Sequence, residues 1–162
     1  YKTDRKTYER AERELARQSA SIQNMIARNK GTSTVKISST GFMRPISGRI
    51  TSPFGWRTHP IFNSRTFHSG GDIAGPNRGS IRASNSGKVI YSGWYGGYGK
   101  VVILDHGTVN GRPITTLYAH MSTIKVSQGQ FAFCSFVCFT VGFIFVNHGL
   151  ILSNCVFNVL LL

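Results

Sequence analysis

Acidic side chains are scarce in this sequence. Its 162 residues hold 6 Asp and Glu against 19 Lys and Arg, a formal net charge of +13. That imbalance excludes an acidic solvating chain and points to a polyanionic partner or surface. Cysteine is absent before Cys134, so neither a disulfide framework nor a cysteine-based zinc site is expected upstream of it. Gly and Pro are missing from residues 1–29, and Asp, Glu, Lys and Arg are missing from residues 131–162. These absences divide the chain, whose length fits one domain plus an appendage.

Tyr8, Leu15 and Ile22 recur at seven-residue spacing, as do Ala11, Gln18 and Met25. Residues 1–30 therefore read as an amphipathic helix or short coiled coil, with the ordinary helix favoured because three heptads is the lower limit for a coiled coil. Gly31 is a stop, and residues 31–43 read as a linker. The first residues are charged and show no secretory-signal pattern.

From there to Gln130, short runs rich in Val, Ile, Tyr and Thr alternate with Gly, Pro, Asn and Ser. "TVKIS", "SGRITS", "SIRAS", "GKVIYSG", "KVVILDH", "ITTLYAH" and "STIKVS" each read as a strand. No helical pattern intervenes, so the expected class is mainly β: an antiparallel sandwich or barrel-like domain over residues 44–130. "GWYGGYGK" (93–100) reads as a glycine-rich hairpin connection, with aromatic faces for a sugar or peptide as the alternative.

The charge-free tail, residues 131–162, has two readings. Residues 131–152 are long and apolar enough for a transmembrane span. Alternatively, its Phe, Leu, Val, Ile, Cys and Ser are what uracil-rich codons give out of frame. The missing basic flanks favour the second reading.

His68 and Asp72 stand four apart in "RTFHSGGDIAG" (65–75). Gly70 and Gly71 disfavour a helix, so the pair must converge from a strand end and a tight turn. Neutral imidazole and carboxylate are zinc ligands, and a catalytic zinc takes three protein ligands and leaves a position for water. Two ligands are visible here, and a turn with polar edges is the plain alternative.

The ordered set "SPFGWRTHP", "FHSGGD", "GGYGKVVILDHG" and "LYAH" resembles the lysostaphin-type, or LytM-like, zinc metallopeptidases over roughly residues 44–130. The resemblance implies a zinc-dependent endopeptidase acting on bacterial peptidoglycan peptides, outside the cytoplasm or at the cell envelope. It implies that His68 and Asp72 bind zinc and that His120 acts beside the metal on the attacking water and the oxyanion. His59 falls on a loop where the family lines its substrate groove. His106 is expected to be structural. The basic residues are scattered and no nucleic-acid motif is present, so a basic face drawn to anionic cell-wall polymers accounts for the charge better than nucleic acid does. A membrane partner is expected only if residues 131–152 are a span.

The family continues with an H-x-H pair whose second His is the third zinc ligand. This sequence has no H-x-H. A rival expectation follows: an inactive LytM-like module that binds cell wall or regulates a partner hydrolase.

Overall fold

The structure is a computed structural model that describes residues 2–29, 41–58, 63–76, 79–109, 112–134, 137–141 and 160–161. It opens with helix α1, Lys2–Arg28. Strands follow: β1 Arg49–Ser52, β2 Gly55–Thr58, β3 Arg65–His68, β4 Asp72–Ala74, β5 Ser80–Arg82 and β6 Gly87–Trp94. A single 3-10 turn, Gly96–Tyr98, leads into β7 Lys100–Val109 and β8 Arg112–Ile124. Three short strands close the order: β9 Phe131–Ala132, β10 Val137–Val141 and β11 Leu160–Leu161.

All described pairings are antiparallel. A curved sheet runs β5-β10-β8-β7-β6-β9, with β11 also on β8, and two small sheets pair β1 with β4 and β2 with β3. The expected mainly β, antiparallel architecture with an N-terminal helix is thus observed. One expectation needs correcting: "ITTLYAH" and "STIKVS" form a single strand, β8, apart from its last residues. "TVKIS" lies outside the described residues.

Strand alternation gives the main sheet two buried faces. Val101 to Leu104 of β7 are all fully buried, yet they serve opposite sides. Val102 and Leu104 join Ile73, Ile81, Val89 and Tyr118 in one cluster. Val101 and Ile103 join Ile90, Leu117 and Ala119 in another, which the helix completes with Ile22 and Ile26. Burying each such aliphatic side chain is worth about 1.5–3 kcal/mol, which explains why α1 lies on the sheet. Its polar groups fit the same seat: Gly97 N donates to Gln18 Oε1 at 2.9 Å, and the Tyr95 and Tyr98 hydroxyls reach Ser21 at 2.8 Å and Ser19 at 3.2 Å. The "GWYGGYGK" segment is therefore a hairpin connection whose tyrosines receive the helix.

In the charge-free segment, β10 is inserted between β5 and β8, so the strand run does not end at Gln130. Its sequence, VCFTV, is rich in residues that suit a pleated sheet. Among the described residues, no helix is long and apolar enough to cross a membrane.

Candidate active site

The β2–β3 hairpin is two-faced because of its register. Gly55 pairs with His68, Trp56 with Phe67, Arg57 with Thr66 and Thr58 with Arg65. Trp56 and Phe67 therefore project to one side, and Arg57 and His68 to the other. His68 is 7% exposed, whereas Phe67 beside it is 49% exposed.

His68 ends β3, and the short link Ser69–Gly71 delivers Asp72 at the start of β4. Strand β1 backs this turn, with Ser52 as the cross-strand partner of Asp72. His68 Nδ1 lies 3.0 Å from the Pro53 carbonyl oxygen and 3.2 Å from Ser52 Oγ. A carbonyl only accepts, so Nδ1 carries the proton there and Nε2 is the nitrogen with a lone pair.

That Nε2 faces Asp72 Oδ1 at 3.2 Å. The carboxylate is 4% exposed, and its Oδ1 has no hydrogen-bond partner. The approach of Nε2 is close without the alignment of a hydrogen bond. Burying a carboxylate oxygen without a partner is costly, so the pair calls for a cation between or beside its two donor atoms. An imidazole steered from behind by a carbonyl and turned to a buried carboxylate is how zinc-ligating histidines are oriented. The two donors fit zinc. Among the described residues, no group of three His, Cys, Asp or Glu gathers at one point.

His120 stands on β8 at a bulge. Lys100 pairs with Met121 and Val102 with Tyr118, so Val101 alone faces both Ala119 and His120. His120 takes the extra position with φ of +56°. The bulge also explains why Tyr118 and Met121, three apart, share a buried cluster: without the extra residue their faces would differ. His120 is half-buried. Burial lowers its pKa, and the Asp72 carboxylate acts against that shift.

Asp72 and His120, 48 apart in sequence, thereby interact electrostatically. His59 and His148 lie outside the described residues. His106 is elsewhere, sealed in the core between the Ser86 carbonyl at 2.7 Å and Thr116 Oγ1 at 2.8 Å. Arg57 and Ser52 were not singled out in the sequence. Arg57 Nη1 sits 3.8 Å from Asp72 Oδ2 and donates to Ser52 Oγ at 3.2 Å. The only sequence signal was its place in "SPFGWRTHP", where nothing local marks an arginine as a carboxylate's neighbour.

Residues 66–132 match the family model of Peptidase family M23. Residues 66–132 thus carry a LytM-like peptidase M23 region. His68, Asp72 and His120 fall inside the match, and Ser52 and Arg57 precede it. Over 82 residues the chain is 44% identical to the DD-carboxypeptidase/endopeptidase Mpg of Neisseria meningitidis, a stretch covering 51% of this chain and 18% of that protein. It thus spans under a fifth of the curated relative it matches. Among solved structures, a Pseudomonas aeruginosa protein assigned to peptidase M23 superposes with a TM-score of 0.63 at 31% identity, over 91% of this chain and 57% of that one. A zinc-containing peptidase from Vibrio cholerae gives a TM-score of 0.58 at 26% identity, over 75% and 37%.

Proposed function

We propose that this chain is the catalytic region of a zinc-dependent endopeptidase that hydrolyses peptide bonds in bacterial cell-wall peptidoglycan, at the envelope or outside the cell. The observation that carries the reading is the buried His68–Asp72 pair, two metal-donor atoms 3.2 Å apart with Asp72 Oδ1 lacking a hydrogen-bond partner. The Mpg name supports the substrate, and the zinc-containing Vibrio neighbour supports the metal. The net charge of +13 suits an anionic wall polymer.

His68 Nε2 and Asp72 would hold the ion. Zinc, when bound, supplies Lewis acidity at a carbonyl and a nucleophilic water at neutral pH. The chain's own groups do the rest. The Pro53 carbonyl and Ser52 fix the His68 ring. Arg57 anchors the outer oxygen of Asp72. His120, kept neutral by burial, can accept a proton from the attacking water and pass it to the departing amine.

The absence of a three-donor group among the described residues favours a second reading, the inactive wall-binding or regulatory module. One experiment separates the two. Zinc content of the purified chain and its release of soluble fragments from peptidoglycan are measured alongside Asp72→Asn and His68→Ala. The peptidase reading expects about one ion per chain and hydrolysis in the parent, with both lost in the variants. Hydrolysis unchanged in both variants would overturn it, and wall binding without zinc or hydrolysis would establish the second reading.

A further inference from the structure

The outer face of the β2–β3 hairpin carries an aromatic cluster that the core does not use. Phe54, Trp56 and Phe67 are 66%, 65% and 49% exposed. Phe67 makes a steeply tilted contact with each of the other two, its ring centroid 5.1 Å from Phe54 at 84° and 5.3 Å from Trp56 at 70°. The Arg65 guanidinium lies 5.2 Å from the Trp56 ring centre. Three adjacent large aromatics on a two-stranded hairpin form a contiguous apolar patch, the kind that marks a binding surface. No Asp or Glu occurs from Pro53 to Gly71, so the charged side chains that this stretch itself contributes are cations.

We infer that this face binds the glycan strand of the same polymer whose stem peptide enters the His68 side, an inference that rests on the function proposed above. Three features select a sugar chain over an aliphatic partner. Phe54 and Trp56 stay about two-thirds exposed, leaving apolar ring surface accessible, and a sugar ring offers an apolar C–H face of matching size. Arg65 and Thr58, opposed on the same side of the hairpin, offer donors to hydroxyl and acyl oxygens at the rim. Continuity with the candidate active site is the third. Phe67 and His68 are consecutive residues projecting to opposite faces of one strand. A peptide spans about 3.3–3.6 Å per residue, so a few stem residues reach round the edge of a two-stranded hairpin. A covalently linked sugar and peptide can therefore engage both sides of the hairpin at once.

The chain has two tryptophans, so in a Trp94→Phe background Trp56 is the only indole reporter. The probe is peptide-free glycan strands, titrated against Trp56 fluorescence. Saturable quenching is expected, with Phe67→Ala binding about tenfold more weakly, as befits loss of a buried aromatic anchor. By co-sedimentation with insoluble glycan, Trp56→Tyr should retain binding and Trp56→Ala should lose it, with thermal midpoints unchanged. Equal binding by Trp56→Ala and the parent, or no binding of peptide-free glycan, would overturn the inference. So would concentration-dependent dimerisation, or partition onto anionic phospholipid vesicles, abolished by Phe67→Ala without any glycan effect. The readout needs no hydrolysis. An inactive chain that still binds glycan leaves this surface standing, and an active chain that does not bind it removes this surface alone.

Discussion

His68 Nε2 and Asp72 Oδ1 face each other at 3.2 Å inside a turn that leaves both residues less than a tenth exposed. Neither strand alone accomplishes this. The hairpin brings His68 down on one side, β1 backs Asp72 on the other, Arg57 reaches Asp72 and Ser52, and Ser52 reaches His68.

That shared support leads to the first prediction. Arg57→Ala removes the cation near Asp72 Oδ2 and the donor to Ser52, so both proposed metal donors lose a restraint. Zinc affinity, read by competition with a chromogenic chelator, should fall about 10–100-fold. Arg57 is half exposed, so the thermal midpoint should barely move. Unchanged affinity would show that the arginine positions neither donor.

His120 pairs its proposed role with a conformational cost. Its left-handed φ of +56° costs a residue bearing a Cβ about 1–2 kcal/mol, and a β-branched residue fits there worst. His120→Val should therefore be less stable than His120→Gly by about 1–2 kcal/mol in urea denaturation. Peptidoglycan hydrolysis should vanish in both, while zinc content persists in both. Equal stability of the two variants would argue against the bulge geometry.

His106 supplies a pH test remote from the metal donors. Burial lowers its pKa below the ordinary value, with the Ser86 carbonyl and Asp105 acting weakly the other way. The unfolded chain therefore binds the proton more readily than the folded one. Stability is fully present above the unfolded value of about 6.5 and declines as pH falls below it towards the folded value. Urea midpoints measured from pH 7.5 to 5 should show this slope in the parent and a shallower one in His106→Gln. Parallel slopes would mean that His106 does not carry the proton linkage.

The seat of α1 gives a stability prediction. Ile22 is 1% exposed against the sheet, so Ile22→Ala should cost about 2–5 kcal/mol in urea denaturation. Ser21→Ala removes only an exposed hydroxyl contact with Tyr95 and should cost about 1 kcal/mol or less. Gly96 is the turn's sensitive position, with φ of +49° and the Gln18 amide where a Cβ would go, so an added methyl must displace the group that Gly97 N donates to. Gly96→Ala should loosen the helix, seen as faster proteolysis within residues 2–28 than in the parent.

The sequence by itself determined the class of the fold and the chemistry of the donors. Short β-branched runs between glycines dictate strands, and the two glycines in the three-residue gap between His68 and Asp72 disfavour a helix. Both are local properties, set by backbone sterics and side-chain period within a few residues. What only the tertiary structure decided depends on register. The single strand β8 could not be read locally, because the residue interrupting its alternation, His120, is accommodated by a bulge against Val101. Arg57 became a neighbour of Asp72 only when β2 paired with β3 in one register. A slip of one residue would have sent it to the aromatic face instead. The charge-free segment carried no usable period, and pairing between β5 and β8 made a strand of residues 137–141. Composition and spacing fixed which groups are present, and cross-strand register fixed which of them meet.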